Sequence, residues 1–293
     1  MTNDVNLGIK YMLFASLLFA FMGAFAKELS NSMSSVEVVF FRNFFGVLLI
    51  LISLYKKPVS QKGGKPWLLF FRGFVGFAAL LMFFYNISTI PLAEAMTFSK
   101  TSTIFTALFA YLFIQEKLGK LGWLGIFIGF IGILLITGFD GSNLEKSDWL
   151  GILTGVGAGL AYTSVRELRT YYDTRIIVLS FMLIGSIGPL ILMFLANFYE
   201  SSTFDFILGK FTMPSLNDLL FIILMGSTAT FAQIYMTKAY SVAKAGIIGT
   251  ISYVTLVFSM GIGMIMGDEF PTIIKLFGIL LIVFSGILVS LKK

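Results

Sequence analysis

Two distant segments of the chain read alike, and both adjoin long apolar runs. Tyr85–Ala95 reads YNISTIPLAEA and Tyr235–Ala245 reads YMTKAYSVAKA, and the two align without a gap. Further along, Glu116 and Glu269 hold matching positions, each ahead of a glycine-bearing apolar run. A duplicated membrane unit restricts the chain to folds in which two copies of one helical module pack against each other.

Composition places the chain in a membrane. Of its 293 residues, 57% are hydrophobic and 12% are charged, which is too little polar surface for a soluble protein of this size. The apolar runs are long and continuous, as in helices of about 20 residues, whereas barrel strands are about 10 residues long and alternate. Ten membrane-spanning helices, numbered span 1 to span 10, are predicted at 7–27, 36–55, 67–89, 92–114, 120–138, 149–168, 175–198, 216–238, 245–266 and 272–291.

Basic residues concentrate on one side of these spans, which fixes the predicted orientation because cytoplasmic loops are rich in lysine and arginine. With a cytoplasmic N-terminus, the inner segments carry Lys10, Lys56, Lys57, Lys62, Lys65, Lys117, Lys120, Arg166, Arg169, Arg175, Lys238, Lys244, Lys292 and Lys293. The outer segments carry Lys27, Lys146 and Lys210. Both termini are therefore expected in the cytoplasm. The asymmetry also accounts for the net charge of +6, so that no nucleic-acid partner is predicted.

Each half contains five spans, an odd number, so that the second half enters the membrane inverted relative to the first. The halves are predicted as 1–138, with spans 1–5, and 149–293, with spans 6–10. Span 1 loosely resembles a signal peptide, but it is long enough to cross a membrane and is expected to be retained. The predicted fold class is an all-α integral membrane protein with ten transmembrane helices arranged as two inverted five-helix repeats.

Several residue types and motifs are missing, and their absence narrows the chemistry. The chain has no cysteine and no histidine, which excludes disulfides, thiolate nucleophiles, histidine metal sites and histidine proton relays. It has no HExxH, GxSxG or P-loop motif, which argues against an intramembrane enzyme and against direct ATP drive. No catalytic residue, cofactor or metal is predicted. A non-transporting membrane scaffold or receptor is the alternative function, with an intramembrane enzyme less favoured.

Several short motifs resemble one family over nearly the whole chain. They are FFRN at Phe40–Asn43, FRGFVGF at Phe71–Phe77, PLAEA at Pro91–Ala95, AKAG at Ala243–Gly246 and GDE at Gly267–Glu269. In these features the chain resembles the EamA family of the drug/metabolite transporter superfamily. The resemblance implies ten spans, with a central cavity formed by spans 1–4 and 6–9 and with spans 5 and 10 at the periphery. It also implies transport, in a family that includes exporters and importers of amino acids, nucleotide-like metabolites and drugs.

Charged residues inside the spans are the first candidates for the solute site, because a lysine or arginine at the centre of a span costs about 2.5–3.5 kcal/mol on insertion scales. Lys100 lies about two turns into span 4 and departs from the resembled pattern, which is usually apolar there. It either binds an anionic solute group, neutralises Glu94 or another carboxylate within the bundle, or extends to the membrane surface. Glu94 lies six residues earlier on a different helix face, which makes it a poor partner for Lys100. Arg42 and Asn43 in span 2 and Lys27 at the end of span 1 complete the candidates.

Other interpretations stay open for these charges. Arg42 could reach the membrane surface or tie span 2 to its neighbours, and Arg72 is expected to extend to the inner interface. Glu94 is either structural or couples transport to protons. Polar residues of the second half, above all Tyr253, Gln233 and Tyr162, either line the cavity or form hydrogen bonds between helices.

Glycines mark two places of close packing or bending. Gly122, Gly125, Gly129 and Gly132 recur along span 5, and such a face serves internal packing or a homodimer. In span 7, Gly185, Gly188 and Pro189 predict a bend. Taken together, the sequence predicts a secondary active transporter in the inner membrane, surrounded by lipid. By alternating access it would move a small polar organic metabolite, amino-acid-like or nucleotide-like, that carries an anionic group.

Overall fold

The computed structural model describes residues 2–59, 63–115, 119–137, 144–199, 201, 203–242 and 251–290. Within these ranges all regular structure is α-helical and no strand occurs. The helices are α1 (Thr2–Leu29), α2 (Ser35–Lys56), α3 (Pro66–Thr89), α4 (Leu92–Lys100), α5 (Ser102–Ile114), α6 (Lys120–Ile136), α7 (Lys146–Leu168), α8 (Thr174–Leu195), α9 (Leu216–Val242), α10 (Val254–Ile265) and α11 (Ile273–Ser290). The protein is therefore all-α.

Every predicted span has a helical counterpart. Helices α4 and α5 together form span 4, which is interrupted at Thr101, and α10 forms the later part of span 9. Among the residues that the structure describes, six helical segments are long and apolar enough to cross a membrane, and shorter apolar helices occupy spans 5, 9 and 10. Helix α7 supplies span 6. The ten predicted membrane helices are confirmed, and the first residues of span 9, 245–250, lie outside the described part.

The spans pack in a pattern that is unchanged when the two halves are exchanged. In this exchange, spans 1 to 5 correspond to spans 6 to 10 in order. The contact of span 1 with span 8 therefore corresponds to that of span 6 with span 3. In the same way, the contact of span 4 with span 6 corresponds to that of span 9 with span 1, and the contact of span 3 with span 7 to that of span 8 with span 2. Three spans pack directly on their own counterparts: span 2 on span 7, span 4 on span 9, and span 5 on span 10. Such self-paired contacts lie at the two-fold axis that relates the repeats.

This exchange symmetry agrees with the predicted fold of two inverted five-helix repeats, since five spans per half require opposite insertion. The boundaries 1–138 and 149–293 stay a prediction, because residues 138–143 at the junction lie outside the described ranges.

The glycine face of span 5 is occupied inside the chain. A methyl group on Gly125 would lie 2.9 Å from Val289, and one on Gly132 would lie 2.8 Å from Ile282, both on span 10. The Ser285 hydroxyl also donates a 2.6 Å hydrogen bond to the Gly125 carbonyl. Close approach of spans 5 and 10 is therefore what the small residues permit. Because span 10 covers this face, it does not offer a homodimer surface, and a homodimer stays a prediction.

Candidate functional site

Span 4 is interrupted at Thr101, although no proline or glycine lies near that point. Hydroxyl side chains around it bond to backbone carbonyls one turn earlier. Thr101 donates to the Phe98 carbonyl at 2.6 Å, Ser102 to the Ser99 carbonyl at 2.7 Å, and Thr103 to the Lys100 carbonyl at 3.0 Å. Side chains that compete in this way for helix carbonyls bend helices. The local sequence SKTST thus accounts for the interruption.

Glycines of span 6 make room for this part of span 4. A methyl group at Gly155 would overlap the Thr101 hydroxyl, and methyl groups at Gly151 and Gly159 would lie 2.5 and 2.6 Å from Phe98 and Phe105. The three glycines are four residues apart and share one face of span 6. They position the interruption against span 6, which leaves the other side of span 4 for span 9.

Span 9 has a matching interruption, at Tyr253. The Tyr253 side chain is 4% exposed, and its hydroxyl lies 2.6 Å from the Thr103 hydroxyl of span 4. Gly286 of span 10 leaves the space that the phenol ring occupies, because a methyl group there would overlap it. Polar groups of both interrupted helices therefore meet at the crossing of spans 4 and 9, on the axis between the repeats.

Lys100 lies at this crossing. Its ammonium is 3.5 Å from the hydroxyl of Ser252, which is itself buried in span 9. In the described part of the chain, no carboxylate lies within ion-pair distance of Lys100. A partly buried ammonium inside a membrane bundle without a counter-charge is energetically expensive. Lys100 and Tyr253, both selected from the sequence, are brought together here, and Ser252 and Thr103 join them.

Glu94 belongs to a different pair. Its carboxylate accepts hydrogen bonds from the Lys275 ammonium at 2.9 and 3.0 Å, and Lys275 stands near the start of span 10. The sequence expectation that Glu94 is a poor partner for Lys100 agrees with this arrangement. Lys275 was not selected from the sequence, because this residue lies one turn inside an apolar helix and belongs to no recognised motif.

Lys27 is also paired. Its ammonium forms an ion pair with Asp268, which follows the end of span 9. The other Asp268 oxygen accepts a 2.8 Å hydrogen bond from the Leu92 backbone N–H, the first residue of α4. One carboxylate thus joins spans 1, 4 and 9. Asp268 belongs to the GDE motif quoted above, but no sequence pattern connects it with Lys27, which lies 241 residues away.

Arg42 and Asn43 face span 7. The buried Asn43 amide donates to the Val39 and Gly185 carbonyls at 2.8 and 3.2 Å, and its oxygen accepts from Arg42 at 3.2 Å. A methyl group at Gly185 would lie 2.6 Å from the Asn43 amide. Gly185 therefore serves this contact within a continuous α8 helix, and the expected bend of span 7 stays a prediction.

Arg72 differs from its expected place at the inner interface. Its side chain is 8% exposed and its guanidinium lies over the Phe181 ring of span 7, with 4.7 Å from Cζ to the ring centroid. Arg42 approaches the same ring at 5.9 Å. Packing of span 3 on span 7 buries the Arg72 side chain. The position of Arg72 along span 3 could not predict this burial.

Two further candidates lie on neighbouring spans. Tyr162 of span 6 is 55% exposed. Gln233 is partly buried on span 8. No group of three residues able to hold a metal ion occurs among the residues that the structure describes.

The architecture and the site together define a class of protein. Ten membrane helices form two exchangeable halves, and polar and cationic side chains meet where interrupted helices cross at the axis between them, as in membrane transporters. The family model of the EamA-like transporter family matches residues 6–138 and 145–291. The chain belongs to the EamA-like transporter family.

Individual relatives agree with this assignment. The chain is 36% identical to an uncharacterized transporter of Helicobacter pylori, over 99% of this chain and 97% of that protein. It is 29% identical to the pseudopaline exporter CntI of Pseudomonas aeruginosa, over 98% of this chain and 96% of that protein. A crystal structure with 18% sequence identity shares the fold, with a TM-score of 0.61 over 99% of this chain and 97% of the other.

Proposed function

We propose that the protein is a secondary active transporter that moves a small polar organic metabolite across the inner membrane by alternating access. The packing of the spans, unchanged when the halves are exchanged, supports the mechanism, because two equivalent repeats can trade their conformations around a fixed site. A chain without a P-loop has no nucleotide site of that kind to drive the cycle. Solute movement driven by an existing ion or solute gradient is the function that fits.

The single observation that carries the proposal is the position of Lys100. It places a positive charge at the crossing of spans 4 and 9, beside hydroxyl groups and away from carboxylates of the described residues. A solute with a carboxylate or phosphate would supply the missing negative charge, and the hydroxyls of Ser252 and Tyr253 could bond its other polar atoms. An amino-acid-like or nucleotide-like metabolite has this combination.

The remaining candidates take different places in the proposal. Arg42, Asn43, Tyr162 and Gln233 stay proposed solute contacts on spans 2, 6 and 8. Lys27 already has a carboxylate partner, so we favour a role in holding the repeats together over direct solute binding. Proton coupling through Glu94 would require its pair with Lys275 to open during the cycle.

The proposed location is the inner membrane, with both termini in the cytoplasm and lipid around the bundle. The asymmetric distribution of lysine and arginine supports this orientation. Reporter fusions after Lys293 and within 140–148 test it. Activity of a periplasmic reporter at Lys293 would overturn the orientation without affecting the fold.

The test of function begins with untargeted metabolite measurements in cells that overproduce the chain, against an empty-vector control, in both the uptake and the efflux direction. The metabolite that responds is then followed in liposomes with purified wild type and Lys100→Met. Transport by the wild type that the variant lacks supports the proposal. Liposomes that move no metabolite would favour a membrane scaffold or receptor.

A further inference from the structure

Two arginines from different spans converge on one aromatic ring away from the crossing of spans 4 and 9. Arg42 of span 2 and Arg72 of span 3 lie 5.9 and 4.7 Å from the centroid of Phe181 in span 7. Gly76, one turn after Arg72, leaves the space for the guanidinium, because a methyl group there would lie 2.9 Å from Arg72 Nη1. Spans 2 and 7 form another self-paired contact, so that this pair of arginines also lies close to the axis between the repeats.

The hydrogen-bonding capacity of these arginines is largely unused. Among the described residues, Arg42 Nε, Arg72 Nε and Arg72 Nη1 are buried without a hydrogen-bond partner. Arg42 donates one bond, to the Asn43 side chain at 3.2 Å. Buried nitrogens that reach no acceptor are rare in folded proteins and call for an explanation.

The charges are equally unbalanced. A guanidinium stays protonated in proteins, and in the described part of the chain no carboxylate lies within ion-pair distance of either arginine. Attraction to the single Phe181 ring offsets less than the cost of burying even one unpaired cation. The two like charges also repel each other. A negatively charged group between them would remove both costs.

We propose that Arg42 and Arg72 form a buried oxyanion-binding site that takes a carboxylate or phosphate group. The fork of donors on a guanidinium matches two oxygens of either group. Oxyanion binding at this site stands independently of the proposed transport function. Assigning the oxyanion to the transported solute, and not to a lipid headgroup, rests on that function.

The site is tested by thermal unfolding of the purified, delipidated full chain in detergent. Inorganic phosphate and acetate are titrated against chloride at equal ionic strength. We expect saturable stabilisation of the wild type, with apparent dissociation constants at least tenfold weaker in Arg72→Gln and in Arg42→Gln. Arg72→Lys, which keeps the charge and loses the fork, should fall between. Arg169→Gln removes the same charge from an exposed position and should match the wild type.

The outcomes separate the explanations. Absence of saturable stabilisation of the wild type overturns the site. A loss of anion affinity in Arg169→Gln as large as in Arg42→Gln and Arg72→Gln also overturns it. If Arg72→Gln does not fold, Arg42→Gln decides. Phospholipid that co-purifies with the wild type before delipidation, and is lost in Arg72→Gln, supports the site with a headgroup as occupant and overturns the solute assignment. A protein that binds phosphate here but moves no metabolite in liposomes keeps the site and overturns the proposed function.

Discussion

The charged side chains at one end of the bundle differ from those deeper inside it. At the end where span 4 begins, the outer end in the proposed orientation, Lys27 is paired with Asp268 and Lys275 with Glu94. Each pair joins the first repeat to the second, and three of the four side chains are largely buried. The chain balances its own charges there.

Deeper in the bundle, no carboxylate of the described residues pairs with the cations. Lys100 contacts a hydroxyl, and Arg42 and Arg72 contact an aromatic ring and an amide. Charged side chains with an ion-pair partner and charged side chains without one both occur in the described part of the spans. Burial alone therefore does not distinguish structural from functional residues. A buried charge that forms an ion pair within the chain stabilises the packing of the helices, whereas a buried charge without such a partner indicates a ligand-binding site.

The largest effect on stability is expected from Asp268→Ala. The change leaves the Lys27 ammonium partly buried without a carboxylate and removes the acceptor for the first N–H of α4. We expect a loss of about 2–4 kcal/mol, somewhat below the value for a fully buried pair because both side chains keep some exposure. Denaturant unfolding in detergent measures it.

The double variant Lys27→Met/Asp268→Ala provides the control for that loss. Removing the stranded ammonium should recover at least half of the lost stability. Additive losses from the two single variants would show that the ion pair has no energetic coupling.

A second effect concerns the support of span 4. Gly155→Ala should destabilise the protein by about 1–3 kcal/mol, because the added methyl group overlaps the Thr101 hydroxyl. Gly261→Ala is the matched control, since a methyl group at Gly261 meets nothing within 4 Å. That control should gain up to about 1 kcal/mol from helix propensity. Equal behaviour of the two variants would argue against close packing of span 6 on the interruption.

The third effect is opposite in sign for stability and function. Lys100→Met removes an ammonium that has no carboxylate partner among the described residues, so that the midpoint of thermal unfolding should stay the same or rise. Transport should fall at least tenfold, equivalent to about 1.4 kcal/mol of lost interaction. Lys56→Met, at an exposed position at the end of span 2, should leave both unchanged. Unfolding of Lys100→Met at lower temperature would assign Lys100 to the structural group.

The smallest effect is expected at an exposed pair, Lys65 with Glu167, at the opposite end of the bundle. The hydrogen bond to Glu167 raises the pKa of Lys65. Its contribution to stability is therefore present below the ordinary lysine pKa of 10.5 and is lost only as the pH rises through the raised value. Lys65→Met should change the unfolding midpoint very little, and equally at about pH 6 and pH 9. A pH-dependent difference would contradict this.

The fold was largely predictable because its signals are long and repeated. Ten apolar runs of sufficient length and a duplicated segment need no knowledge of side-chain packing. The interruption at Thr101 was not predicted, because helix breaks are usually read from proline or glycine, and here hydroxyls of neighbouring residues produce it.

The site was predictable only in part. The depth of Lys100 in span 4 singled it out, and helix geometry separated it from Glu94. The partners of the other charges were not predictable, since Asp268 and Lys275 lie far away in sequence and reach Lys27 and Glu94 only after the repeats pack. The sequence identifies which charged side chains are energetically unfavourable inside the membrane, whereas the packing of the helices determines which of them form ion pairs.

The hydrogen bond from Leu92 to Asp268 makes one backbone amide a reporter of the end of the bundle where span 4 begins. The first N–H groups of a helix have no acceptor within the helix, so that protection of the Leu92 amide against exchange with deuterated water depends on the Asp268 carboxylate. Whenever the end of span 9 moves away from span 4, this amide is exposed, while amides in the middle of α4 keep their helical bonds. Its exchange rate would therefore measure how often spans 4 and 9 separate at this end, without any knowledge of a transported solute.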